Sequence, residues 1–234
     1  FDPQFMTLTS TAPAGVDCSA IDVCSDGTVL VASFSESLIR RMDLSETGNL
    51  ADTGETLALR APTRVRCARD GRSAIALSAA QPYQLQSFKV VGMHLVDALD
   101  LDAYADALAF SPVDDRAYVR RQRSNGEAGI DVYAYDPVTA HLGEEPLLGF
   151  PTLNGSGGMA VDRSGRRLLV HEGRFIRIHD TATGLPVDIL ASPDMSSYPG
   201  PVCLRPFDRD ADGWLDDEER VGATNPLNPD SDGD

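Results

Sequence analysis

Four short turns recur along the chain at nearly constant spacing. They are Asp26-Gly27, Asp70-Gly71, Asp114-Asp115 and Ser164-Gly165, and their first residues lie 44, 44 and 50 positions apart. Each turn separates two runs of alternating apolar residues, as in AIDVCSDGTVLVASF. Asp-Gly between such runs marks a β-hairpin, because Gly accepts positive φ without a Cβ penalty. Each unit holds a tight turn followed by two or three further short strands. One such unit cannot bury its own apolar faces, so successive units must stack. Long helical periodicity is absent. The stretch VDALDLDAYADAL reads either as a short helix or as an outer strand, a turn and the next inner strand. NGSGGMA, residues 154–160, reads as the turn into the fourth inner strand.

Charge and composition exclude several classes. The net charge is −16, with 20 Lys plus Arg against 36 Asp plus Glu. A nucleic-acid binder needs a basic face to meet the phosphate backbone. The one basic cluster, Arg116, Arg120, Arg121 and Arg123, reads as a solvated strand and loop rather than an anion site. No run of 18 apolar residues is present to form a membrane-spanning helix. No basic stretch leads into an apolar one as a secretory leader would, so a leader is either removed or never present. The four cysteines, Cys18, Cys24, Cys67 and Cys203, form no C-x-x-C pair, which argues against a zinc site. Their even number fits two disulfides and an oxidising compartment; buried free thiols are the alternative. His171 and His179 read as partly exposed strand residues on neighbouring strands rather than metal ligands.

The detail within the units resembles the YVTN or lactonase-like β-propeller repeat over about residues 15–192. In that family a strand and an Asp-Gly turn lead to a second strand, then to a strand ending in D-x-x-T-G. Asp180 to Gly184, DTATG, matches that ending; DLSETG, Asp43 to Gly48, carries one extra residue; DPVTA places Ala140 where Gly is usual. The second unit lacks the Asp. The resemblance implies an all-β fold, a β-propeller of about four four-stranded blades over residues 15–203, preceded by an extension over 1–14. Lactonase-like propellers commonly have seven blades. The ring therefore closes with four, takes blades from another chain, or hides strands in FMTLTS and GPVCLRPF near the ends. On this blade order Cys24 and Cys67 fall just before the turns of adjacent blades and form the natural pair. Cys18–Cys203 would clamp the ring.

A different pattern begins at residue 208. Asp208, Asp210 and Asp212 occupy positions one, three and five of a twelve-residue loop; Gly213 is at six, Trp214 at seven, Asp216 at nine and Glu219 at twelve. That is the spacing of an EF-hand-type Ca²⁺ loop. Ca²⁺ takes six to eight oxygen ligands at about 2.3–2.6 Å, and alternate carboxylates on a tight loop converge on one point. The expected ligands are the side chains of Asp208, Asp210, Asp212, Asp216 and Glu219 with the carbonyl of Trp214. The whole stretch, about residues 207–234, resembles the bacterial thrombospondin type 3 repeat. A second ligand run, Asp230, Asp232 and Asp234, is cut short, which implies that the natural chain continues. The resemblance assigns 204–234 to a calcium-binding segment and places the protein outside the cell or on its surface, where millimolar Ca²⁺ fills weak sites.

No G-x-S-x-G elbow, H-E-x-x-H pair or phosphate loop occurs. The expected function is a non-catalytic binding or adhesion module, a propeller on an acidic calcium-binding stalk, with a protein or carbohydrate ligand at the propeller face. Two alternatives stay open. One is a lactonase-like secreted enzyme with its site in the propeller channel. The other is a structural subunit of a surface assembly, with self-association completing the ring.

Overall fold

The computed structural model describes residues 15–45, 49–122, 128–152, 157–172 and 175–191. Among them there is no helix, and every strand belongs to one of four four-stranded antiparallel sheets. Sheet 1 holds β1 (Cys18–Val23), β2 (Thr28–Ser33), β3 (Leu38–Leu44) and β4 (Leu50–Ala58). Sheet 2 holds β5 (Pro62–Cys67), β6 (Ser73–Ser78), β7 (Tyr83–Lys89) and β8 (His94–Leu101). Sheet 3 holds β9 (Tyr104–Phe110), β10 (Arg116–Gln122), β11 (Ala128–Ala134) and β12 (Leu148–Thr152). Sheet 4 holds β13 (Met159–Val161), β14 (Arg167–Glu172), β15 (Phe175–Asp180) and β16 (Pro186–Ala191). The ambiguous stretch VDALDLDAYADAL is therefore the end of β8, a turn and β9.

Strand order within each sheet follows the chain, and the first strands of consecutive sheets lie against one another: β1 on β5, β5 on β9, β9 on β13. This is the propeller-like arrangement, with β1, β5, β9 and β13 innermost. It explains the burial pattern. β6 (SAIALS) is buried at every residue, because a central strand between two neighbouring sheets has no face left for water; β2 (TVLVAS), in the first sheet, is buried at every residue as well. Three apolar clusters join the sheets in series. One carries Leu30, Ile39 and Leu57 of sheet 1 against Val65 and Phe88 of sheet 2. The next packs Ile75, Leu77 and Leu85 against Leu108, Val119 and Tyr133. The third packs Tyr118, Ile130 and Phe150 against Met159, Leu168 and Val170.

The turns behave as their residues dictate, with one exception. Gly27, Gly71 and Gly165 all sit at positive φ (85°, 68° and 71°). The third turn has no glycine and no positive φ. It is held by the Ser111 hydroxyl, which accepts from the Val113 and Asp114 amides at 3.4 and 3.2 Å. The Asp180 turn has its carboxylate accepting from the Ala182 and Thr183 amides, both at 3.1 Å, and Gly184 at φ 70° closes it. In the matching turn Asp136 accepts from Val138 and Thr139, and Ala140 adopts φ 67° in place of the glycine.

Cys24 and Cys67 form a disulfide with Cα atoms 5.3 Å apart. Its geometry follows from a one-residue offset. Cys24 and Ala68 occupy the same place, each donating its amide to the carbonyl that starts the next strand (Thr28 and Ser73). Cys67 lies one position earlier, so its side chain faces back to sheet 1 while Cys24 faces forward to sheet 2. Cys203, and with it the Cys18–Cys203 pair, lies outside the described residues. So do residues 1–14 and 204–234, including Asp208, Asp210, Asp212, Trp214, Asp216 and Glu219.

Candidate functional site: a polar face at the start of the inner strands

Two ends of the sheets differ in chemistry. The end carrying the tight turns is tied together by backbone-like bonds between sheets. Asp22 accepts from the Cys67 amide at 2.7 Å, and Asp97 accepts from the Leu142 amide at 2.9 Å with the His141 ring 2.8 Å away. Burial pushes the Asp22 carboxyl up, against the pull of the Cys67 amide and Arg66. Asp97 is held below the usual range: burial opposes this, but the Leu142 amide and His141 outweigh it. Lys89 reaches the Val138 carbonyl of the next sheet.

The opposite end, where the inner strands begin, gathers most of the buried charge. Arg120, at the far end of β10, is completely buried. Its Nε and Nη2 donate to the two oxygens of Asp106 at 2.8 and 2.9 Å. Its remaining hydrogens reach across to sheet 4, to the carbonyls of His171 (2.8 Å) and Gly157 (2.9 Å). Gln122 donates to the same Asp106 carboxylate at 2.7 Å. The guanidinium thus satisfies a planar bidentate pair and two carbonyls from one place, a geometry that Lys cannot reproduce. Arg121 beside it, also buried, pairs with Asp102 and Asp131. In sheet 4, Arg177 donates to the buried carboxylate of Glu172 at 2.8 Å.

Around this charged centre stands an aromatic pair. Tyr83 and Tyr104 meet edge to face with ring centroids 5.8 Å apart. Burial pushes the Tyr104 phenol up, and the Asp106 charge adds to it while Arg64 opposes. Along β7 the buried Gln86 donates to Gln84 at 2.8 Å, and Gln84 donates to Asp100 at 2.8 Å. Tyr83, Gln84 and Tyr104 are the groups of this end that stay partly open to solvent; the Arg120–Asp106 and Arg121–Asp131 pairs and the Glu172 carboxylate are buried.

Two sequence readings need correction. Arg120 and Arg121 are not part of a solvated strand; both are buried and paired, while Arg116 is half-exposed and pairs with Asp114. Arg123 lies outside the described residues. His171 and His179 are buried rather than partly exposed. They point to opposite faces of sheet 4, since His179 pairs with Leu168, three residues before His171. His179 Nδ1 contacts the Gly184 carbonyl at 3.0 Å, and its ring leans on Phe150. His171 lies under Gly157, where a Cβ would come within 2.6 Å of Nδ1. The Arg120–Asp106 pair was missed. Its signal was an Asp inside the apolar run YADALAF and an Arg inside RAYVRRQ, strands that must pair.

No family model and no curated protein sequence matches the chain. Solved structures do match its fold. A functionally unknown protein from Desulfotomaculum acetoxidans aligns with TM-score 0.66 at 16% identity, over 81% of this chain and 61% of its own. A candidate 6-phosphogluconolactonase from Bacteroides uniformis gives TM-score 0.62 at 16% identity, over 78% and 59%. Hydrazine synthase from Kuenenia stuttgartiensis gives 0.61 at 17%, over 77% and 50%. At such identity the likeness is one of fold, and it includes the lactonase-like propeller expected from the repeats. The chain spans between 50% and 61% of the length of these structures.

Proposed function

We propose that the chain is a non-catalytic binding module of an extracellular or cell-surface protein. In this reading four lactonase-like blades are followed along the chain by a calcium-binding thrombospondin type 3-like segment, and the polar face at the start of the inner strands receives a protein or carbohydrate ligand. The observation that carries it is the pairing on that face. Arg120 is held by Asp106 and two carbonyls, Arg121 by Asp102 and Asp131, and Glu172 by Arg177. General acid–base work needs a carboxylate or imidazole within reach of the substrate's proton. Here the carboxylates hold arginines, and His171 is shielded by Gly157. The Cys24–Cys67 bridge agrees with an oxidising setting.

The fold likeness to a candidate 6-phosphogluconolactonase makes lactone hydrolysis the reading to test against it. Purified protein is added to 6-phosphogluconolactone, and acid release is followed in a pH-stat. The expected rate is that of spontaneous hydrolysis. A kcat/KM of about 10⁴ M⁻¹s⁻¹ or more, the ordinary enzymatic range, would establish the lactonase reading instead.

A further inference from the structure

We propose that the first and last sheets are the two halves of one more inter-sheet joint, and that a second copy of this chain makes it, head to tail. The three joints inside the chain repeat one register. The forward face of a sheet presents an apolar residue on its second, third and fourth strands: Leu30, Ile39 and Leu57 in sheet 1; Ile75, Leu85 and Leu99 in sheet 2; Tyr118, Ile130 and Phe150 in sheet 3. Each face receives the inner strand of the next sheet, at Val65, Leu108 and Met159.

Both halves of that joint recur at the ends without a described partner. On the forward face of sheet 4 the same positions carry Leu169, Ile176 and Leu190. On the backward face of sheet 1, Ile21 takes the place of Val65, Leu108 and Met159. Among the described residues no apolar cluster joins sheet 4 to sheet 1. Exposure shows the difference. Ile21 is 60% exposed, whereas Val65, Leu108 and Met159 are 0%, 2% and 2%. Leu190 is 48% exposed, whereas Leu57 and Phe150 are 7% and 6%. Val29, Val31 and Met42, farther out on the backward face, are already buried. The new joint therefore rests on β1, and inner strands also carry the joints within the chain.

The occupant follows from this continuity. The surface that fits a forward face is the inner strand of another such sheet, and Ile21 and Val23 offer it on every copy. Two copies joined at both ends make a ring of eight sheets, within the range of propellers, which run from about four to eight blades. The contact is heterologous, and heterologous contacts close into rings when the rotation permits. Each copy carries a net charge of −16, so added salt should strengthen the association by screening repulsion.

The test is sedimentation velocity on the whole chain and on Ile21→Asp and Leu190→Asp. Both side chains are exposed, so circular dichroism should show the fold retained. Wild type should sediment at twice the mass of one chain. Each variant alone should be monomeric. An equimolar mixture should regain a dimer, weaker than wild type, because an Ile21→Asp copy keeps its Leu190 face and a Leu190→Asp copy keeps its Ile21 face. A monomeric wild type overturns the proposal. A mixture that stays monomeric, or single variants that still dimerise, overturns it as well.

Discussion

Replacing Arg120 by Met probes the centre of the polar face directly. The substitution keeps an unbranched apolar stem and deletes the guanidinium. The Asp106 carboxylate is then buried with Gln122 as its remaining donor, and the carbonyls of His171 and Gly157 lose theirs. Breaking a buried ion pair from one side costs about 3–5 kcal/mol. Each orphaned carbonyl adds about 1 kcal/mol at the low end of its range. The total, about 5–7 kcal/mol, rivals the whole stability of a domain, about 5–15 kcal/mol. Adding Asp106→Leu removes the stranded carboxylate and leaves the two buried carbonyls, with the Gln122 amide half-buried and open to water, so the double variant should lose about 2 kcal/mol. Urea unfolding followed by circular dichroism at neutral pH measures both. The expected order is wild type, then the double variant, then Arg120→Met, which unfolds at far lower urea or does not fold. A single variant losing under about 2 kcal/mol, or a double variant no more stable than the single, would refute the pairing as the stabilising element.

Two further outcomes follow from the same structure. The Cys24–Cys67 bridge closes a loop of sequence separation 43, for which chain entropy gives about 4 kcal/mol; Cys24→Ala/Cys67→Ala should lower the urea-derived stability by about that much, and a change below about 1 kcal/mol would contradict a clamp between sheets 1 and 2. Asp180 is held below the usual carboxylate range by the Thr183 amide and hydroxyl, and Asp136 by the Thr139 hydroxyl and amide. Their contribution is complete above the unfolded value near pH 4 and is lost as pH falls through the depressed folded values. The melting temperature of wild type should therefore drop more steeply below about pH 4 than that of Asp180→Asn, which keeps the acceptor oxygen but cannot titrate; parallel profiles would show that the turn charge is not linked to folding.

Much of the architecture was written in local chemistry. Asp-Gly turns at a regular interval mark where each sheet begins, and Gly27, Gly71 and Gly165 take the φ that only such residues adopt at little cost. The disulfide was legible because cysteines near equivalent turns of adjacent units come close once units stack. The polar face was not legible. Alternation tells which residues share a face of a strand but not which faces another sheet covers. Arg120 therefore reads as exposed from its strand alone, and sheet 4 packing on sheet 3 is what buries it; His171, on the opposite face of sheet 4, is covered by Gly157 of its own sheet. The spacing placed the glycine-free third turn at Asp114-Asp115, but not what holds it: a serine hydroxyl replaces the left-handed residue there.

The central claim, a propeller module followed along the chain by a calcium-binding segment, is tested most directly by the fluorescence of Trp214, the single tryptophan of the chain. Trp214 occupies position seven of the proposed loop, whose other proposed ligands are Asp208, Asp210, Asp212, Asp216 and Glu219. Titration with Ca²⁺ should change its emission with a midpoint on the order of 10⁻⁴–10⁻³ M, as in extracellular modules. Mg²⁺ should act far more weakly, because its octahedral shell fits the loop poorly. Asp208→Ala/Asp212→Ala should abolish the response and leave the β-sheet circular dichroism unchanged. No response to millimolar Ca²⁺, or an equal response to Mg²⁺, would contradict the account.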